Sequence, residues 1–285
     1  MATALLLAAC AVIGAGCGDS GATGPATSVT VTRDFGADVV AKTETVDSTA
    51  GLTALRQLAT VHKVTTAYGG RYVKSINGTT EDNDSSWLFY VDGVESAEGA
   101  TSIRLKPGQV VQWDFHAWQT IRTGGAIVGA YPLPPKTRGV KLICAPENTC
   151  GQVRKDLTAA GIVVSSKAKD RVIVGSWNDI QGFDGVPDLT RPGDTNGAYA
   201  DFTANGQTLT PYAADGSPQK SLVGSSGLLA AFTDADGVVW IATGTDEDGS
   251  RSAARLLGAE KDKLKNRFAM AIDNGREHAL PYGVG

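Results

Sequence analysis

Pro132, Pro134 and Pro135 fall within four residues. No sheet interior or helix continues through such a cluster, because each proline removes a backbone donor and fixes φ. The cluster splits the 285-residue chain into two stretches, each long enough for a core of its own. The surrounding segment GGAIVGAYPLPPKTR reads as part of a linker over residues 119–138. Charge divides the same way: residues 29–118 hold 8 basic and 11 acidic side chains, and residues 119–285 hold 18 of each. Glycine contributes 35 residues, which favours turns and short strands over long helices.

A net charge of −4 gives no electrostatic basis for binding nucleic acid. The histidines are His62, His116 and His278, and no two share a metal-ligand spacing. HExxH, paired CxxC, GxSxG, a Walker loop and GxGxxG are all missing from the sequence. No metal site, no cofactor and no catalytic residue is therefore expected. A carboxylate pair among Asp179, Asp184, Asp246 and Asp248 would be needed for acid–base work, and nothing in their spacing brings them together.

Residues 4–16, ALLLAACAVIGAG, have the length of a signal-peptide core and are short for a membrane span. Small residues lead into Cys17, as in a bacterial lipobox, with Gly14 where a leucine is usual. Leu7-Ala8-Ala9-Cys10 fits the box better but leaves six residues upstream, which points to a start codon further back. The expectation is a signal peptide over 1–17, lipidation at Cys17 or else Cys10, and a tether over 18–28, GDSGATGPATS. The folded part would then sit at the extracellular face of the cell membrane, held by its lipid. Cys144 and Cys150 bracket CAPENTC and are expected to form a disulfide in that oxidising compartment.

In residues 29–118, VTVTRDF and VVAKTETV alternate as strands around Gly36-Ala37-Asp38. DSTAGLTALRQLATVH reads as a helix capped by Ser48 or Thr49, with Leu52, Leu55, Ala59 and His62 on one face. RYVKSI, WLFYV and VVQWDF are further strands. Asn77-Gly78 and Asp92-Gly93 are hairpin turns, and Lys106-Pro107-Gly108-Gln109 has the pattern of a type II turn. Trp87, Phe89 and Val91 share one strand face, Leu88 and Tyr90 the other; one face must be core. Two strands, a helix and more strands follow the order of a β-grasp-like sheet.

In residues 139–285, VKLIC and RVIVGSW read as strands flanking a helix, QVRKDLTAA, capped by Asn148 or Thr149 and stopped at Gly161. Residues 178–197 read as loop. Hairpins centre on Asn205-Gly206 and Asp236-Gly237. SRSAARLLG and KDKLKNRF read as helical, and FAMAID as the last strand. The fold class is α+β: a β-grasp-like N-terminal domain, then a separate α/β domain with a mixed sheet.

The N-terminal stretch carries Gly70, Tyr72 and Val73, then Ser75-Ile76-Asn77-Gly78. Next come Trp87 with Phe89-Tyr90 and Asp92-Gly93, then Pro107-Gly108 before a strand reaching Trp113. In this order the segment 29–118 resembles the transcobalamin-like C-terminal domain family. The resemblance implies a β-grasp lid that closes on cobalamin. It implies that Tyr72, Trp87 and Tyr90 present aromatic surface to a flat ligand.

A second candidate is the strand-to-helix turn at Thr245 and Asp246, where free amides can hold an anion or a polar ligand. Asp246, Glu247 and Asp248 place negative charge there themselves, so a self-capped helix is the competing reading. DEDGS lacks the full calcium-loop pattern. Lys261, Lys263, Lys265 and Arg267 read as a solvated face. The expected role is capture of a small ligand, or help to a membrane transporter, by a lipid-anchored monomer. A surface structural or protein-docking module is the alternative.

Overall fold

Alternation in TSVTVTR and DVVAKTETV produces the first hairpin, in which β1 (Thr27–Arg33) and β2 (Asp38–Val46) pair antiparallel. The computed structural model describes residues 24–118 and 125–283. Cys10 and Cys17, the start of the tether and residues 119–124 of the expected linker lie outside the described residues. Among the described residues no helix is long and apolar enough to cross a membrane.

After the hairpin come α1 (Ala54–Val61), β3 (Val64–Ala67), β4 (Tyr72–Ile76) and β5 (Thr79–Thr80). They are followed by β6 (Ser85–Val91), β7 (Val94–Glu95) and β8 (Val110–Ala117). The main sheet runs β2-β1-β8-β6-β7, with β1 and β8 parallel and the other neighbours antiparallel. β3, β4 and β5 form a small sheet of their own. Asn77-Gly78 and Asp92-Gly93 have positive φ at both residues, the signature of type I′ turns. Gly108 has φ 79° and Gln109 N–H donates to Lys106 O, completing the expected turn.

The helix α1 departs from the sequence reading at its start. Thr53, not Ser48 or Thr49, is the cap, its hydroxyl accepting from Arg56 N–H at 3.2 Å. Ala54 and Leu58 face the core while Ala59 is exposed. Gly51, at φ 75°, breaks the chain after the earlier candidates, so the helical phase starts later. The core beneath α1 holds Val29, Val31, Trp87, Phe89, Val111 and Trp113.

The proline cluster starts a helix rather than excluding one. α2 (Leu133–Arg138) has Pro134 and Pro135 in its first turn, where amides have no intrahelical partner and their loss costs nothing. Then follow β9 (Lys141–Ala145), α3 (Cys150–Ala159), β10 (Arg171–Ser176), α4 (Trp177–Ile180) and α5 (Gly193–Asn196). The two single-turn helices α4 and α5 fall in or beside the stretch expected as loop. β11 (Ala200–Phe202), β12 (Thr208–Pro211) and β13 (Leu222–Val223) form a small antiparallel sheet. β14 (Ser226–Thr233), β15 (Val238–Gly244), α6 (Glu247–Arg255), β16 (Ala269–Asp273) and β17 (Arg276–Leu280) complete the chain.

The larger sheet runs β17-β16-β14-β15-β10-β9, with β9, β10 and β15 parallel and the rest antiparallel. The class is α+β with mixed sheets in separate N- and C-terminal parts. β17 is absent from the sequence reading, although Asn274-Gly275, with φ 48° and 81°, is a hairpin signal of the same kind as the two recognised upstream. The KDKLKNRF segment gives one tight turn, Lys261–Leu264, in place of a full helix.

Each face of the larger sheet has its own cover. Trp240, Ala242, Leu229 and Ala231 meet α3 and α6. Val239, Ile241, Leu228 and Ala230 meet α4, the small β11–β13 sheet and, from the N-terminal part, Phe35 and Tyr90. One core is thus continuous across both parts. α6 seats against this sheet through close backbone approach. A Cβ on Gly249 would lie 2.2 Å from Ser226 O, one on Gly227 2.4 Å from Gly249 O, and one on Gly244 2.5 Å from Ser250 N.

Cys144 and Cys150 form a disulfide with Cα atoms 5.5 Å apart, joining the end of β9 to the start of α3. The bridge spans a sequence separation of 6, so it constrains the unfolded chain modestly. Replacing both cysteines by serine is expected to cost about 2 kcal/mol, read as a lower urea midpoint with unchanged slope.

Candidate functional site

The main N-terminal sheet has two unlike faces. Val29, Val31, Val111, Trp113, Trp87 and Phe89 fill the core under α1. The intervening residues, Ser28, Thr30 and Thr32 on β1 and Gln112, Asp114 and His116 on β8, make the other face polar. That face turns toward the C-terminal part, and its two ends have different fates.

One end is sealed. Asp114 is fully buried and accepts four hydrogen bonds: from the Thr32 hydroxyl at 2.5 Å, Phe35 N–H at 3.0 Å, Gly36 N–H at 2.8 Å and His116 Nδ1 at 2.7 Å. The carboxylate thereby holds a turn in which Asp34, Phe35 and Gly36 have φ of 53°, 57° and 78°. Gly36 is required for a second reason: a Cβ there would lie 1.8 Å from Asn266 O. Phe268 plugs the seam, its ring centroid 5.4 Å from Phe35, 5.2 Å from Tyr90, 5.5 Å from His116 and 6.3 Å from Tyr199. Gln112 Nε2 donates to Asn266 O at 3.0 Å, tying the parts together directly.

Among the described residues, three polar atoms around this plug have no hydrogen-bond partner: Tyr90 Oη, Tyr199 Oη and His116 Nε2. Burial pushes both tyrosine hydroxyls well above the ordinary phenol range. Tyr90→Phe and Tyr199→Phe are each expected to raise stability by about 1 kcal/mol, because each deletes a buried donor that has lost its water. The check is the melting temperature of each variant. A fall of similar size would mean the hydroxyl is hydrogen-bonded in solution.

The other end stays open as a cleft of about 440 Å³. Its sheet wall carries Ser28, Thr30 and Thr43, with the Thr30 and Thr43 hydroxyls 2.8 Å apart, and Gln112. Its opposite wall is the segment from Ile127 to Leu133, and the third side is Lys261, Asp262, Lys265 and Asn266. Tyr131 is pinned by its hydroxyl to Leu257 O, and burial raises its pKa. Leu133, 45% exposed, stands at the cleft as one of the few large apolar side chains left in water. A volume of this size, apolar walls and a few convergent polar groups suit a small molecule. Among the described residues, no group of three or more His, Cys, Asp or Glu side chains is arranged to hold a metal ion.

The five candidate ligand residues scatter. Tyr90 lines the cleft, but at 0% exposure it forms part of its floor. Trp87, 5% exposed, packs against Phe115 with its indole N–H on Thr79 O at 3.2 Å. Tyr72 is half-buried on the small sheet; its hydroxyl is 2.8 Å from Ser86 Oγ and its ring meets Tyr68 edge-on. Thr245 takes Ser226 N–H on its hydroxyl at 3.0 Å, and Asp246 caps α6, accepting from Gly249 N–H and the Ser225 hydroxyl, both at 2.7 Å. Asp246 thus caps the helix start itself, through the Gly249 amide.

The residues that build the cleft, Gln112, Asn266, Leu133, Lys261 and Lys265 among them, are not among those candidates. The sequence carries a signal for the sheet wall alone. Ser28, Thr30 and Thr32 alternate with Val29 and Val31, as Gln112 and Asp114 do with Val111 and Trp113, and a polar second face of that kind needs a covering layer.

Fold and site together define a two-part α+β protein with a small-molecule-sized cleft between a β-grasp-like sheet and a mixed α/β sheet. Residues 51–117 match the family model described as a domain of unknown function, DUF4430. Two solved structures each resemble 33% of this chain. One is a candidate metal-binding protein from Ruminococcus gnavus, 11% identical, with 97% of that chain covered and a TM-score of 0.25. The other is haptocorrin in complex with Cbi, 14% identical, with a TM-score of 0.27; the match spans 25% of that longer chain. No curated protein matches the sequence.

Proposed function

We propose that this protein is a ligand-capture protein of the cell surface, exported, anchored by a lipid on Cys17 or Cys10, and binding a small molecule in the cleft between its two parts. The observation that carries the proposal is the cleft itself, about 440 Å³ and walled by both parts. Delivery to a membrane transporter is the natural use of such a protein, and no catalytic group is needed for it. Export and the lipid anchor rest on the apolar run, on Cys10 within it and on Cys17 just after it.

The family resemblance implies a corrinoid, and among the described residues the cleft lining offers no histidine or cysteine to meet its metal. The test is a thermal-shift and tryptophan-fluorescence screen of the protein from Gly18 onward, with corrinoids beside smaller nutrients. A ligand at about 100 times its Kd adds about 2.7 kcal/mol to stability, so a true ligand raises the melting temperature by several degrees. No shift with any compound would sink ligand capture and leave the docking-module alternative.

A further inference from the structure

We infer that the cleft selects a ligand with one anionic group on an apolar body; the inference rests on the cleft being a ligand site. It starts from the run Lys261-Asp262-Lys263-Leu264-Lys265. Leu264 is buried in the C-terminal core and fixes the phase of this tight turn. Lys263 projects away from the cleft and is neutralised twice, by Glu260 at 3.2 Å and Glu277 at 2.7 Å. Lys261 and Lys265 line the cleft, and among the described residues neither forms an ion pair.

The lysine facing outward has two carboxylates, and the two facing the cleft have none. Among the described residues of the lining Asp262 contributes the one carboxylate, so two ammonium groups face one negative charge. The sheet wall adds hydroxyls and an amide, which carry no compensating charge. Both lysines lie within a Debye length of anything held in the cleft. The low-dielectric walls strengthen their pull on an anion above its value in open water. Beside them, Ile127, Tyr131, Pro132 and the exposed Leu133 offer apolar contact. A molecule complementary to both sides has a carboxylate, phosphate or sulfonate at one end and a hydrocarbon or aromatic body at the other.

The probes are anilinonaphthalene sulfonate and phenylnaphthylamine, the same ring system with and without the anionic group. Titrated by fluorescence, the sulfonate is expected to bind more tightly than the neutral dye and to weaken as salt rises. The double substitution Lys261→Gln, Lys265→Gln is expected to weaken the sulfonate about tenfold and leave the neutral dye unchanged. Lys263→Gln changes neither. Leu133→Asp, at the exposed first position of α2 where an aspartate suits the helix, is expected to weaken both dyes.

Equal affinity for the two dyes, unmoved by the double lysine variant but lost in Leu133→Asp, overturns the anionic preference and leaves the cleft as a ligand site. Binding of neither dye, or binding indifferent to Leu133→Asp, overturns the ligand site and the preference with it.

Discussion

Asp114→Ala is expected to lower the free energy of unfolding by about 4 kcal/mol, the cost of stripping a buried charged acceptor from its donors. Two backbone amides, the Thr32 hydroxyl and His116 Nδ1 converge on that carboxylate. None can reach water in the closed seam. The turn it holds is itself costly, because Asp34 and Phe35 both sit at positive φ, a conformation worth about 1–3 kcal/mol of strain at a non-glycine residue. Without the carboxylate the turn relaxes and carries Phe35 away from Phe268 and His116, against which it packs at 5.4 Å and 4.2 Å. Asp114→Asn keeps one acceptor oxygen and is expected to lose about half as much. Urea unfolding followed by tryptophan fluorescence measures both. A loss below about 1 kcal/mol for the alanine variant would mean that something other than Asp114 holds the turn.

Gly249→Ala is expected to cost about 3 kcal/mol, for a purely steric reason. The new methyl would meet Ser226 O at 2.2 Å, and neither partner is a flexible side chain that can swing aside. Relief requires α6 to lift from β14 and β15, which strains the hydrogen bond from the Ser225 hydroxyl, just ahead of β14, to Asp246 at the helix cap. Gly151→Ala, in α3 where a Cβ meets nothing within 4 Å, is the matched control and is expected to stabilise by about 0.5–1 kcal/mol through helix propensity. Equal effects in the two variants would show that α6 can shift at little cost.

Much of the fold was legible because local rules and tertiary demands agree. WLFYV divides between two faces as its alternation dictates, and the Asn-Gly and Asp-Gly turns close where their φ preferences place them. The disulfide followed from two nearby cysteines. The cleft was not legible for a physical reason: it is made where Thr30 and Gln112 meet Leu133 and Lys265, and no periodicity within either segment reports that encounter. Tyr90 has the aromatic character that suggests a ligand contact, yet its ring is fully buried and meets Phe268 edge-on. Pro134 and Pro135 were read as breakers because their effect depends on where a helix begins, which a short sequence window does not show.

The parallel pairing of β1 with β8 has a consequence for how the molecule is made. Ser28 waits for Val110 before the first sheet can close, and Gln112 waits a further 154 positions for Asn266. A chain emerging N-terminus first therefore carries its wet polar strand face unsheltered until Asn266 and Phe268 have been made. Hydroxyl- and amide-bearing residues on that face tolerate the delay, whereas a greasy surface in their place would have invited pairing with other nascent chains.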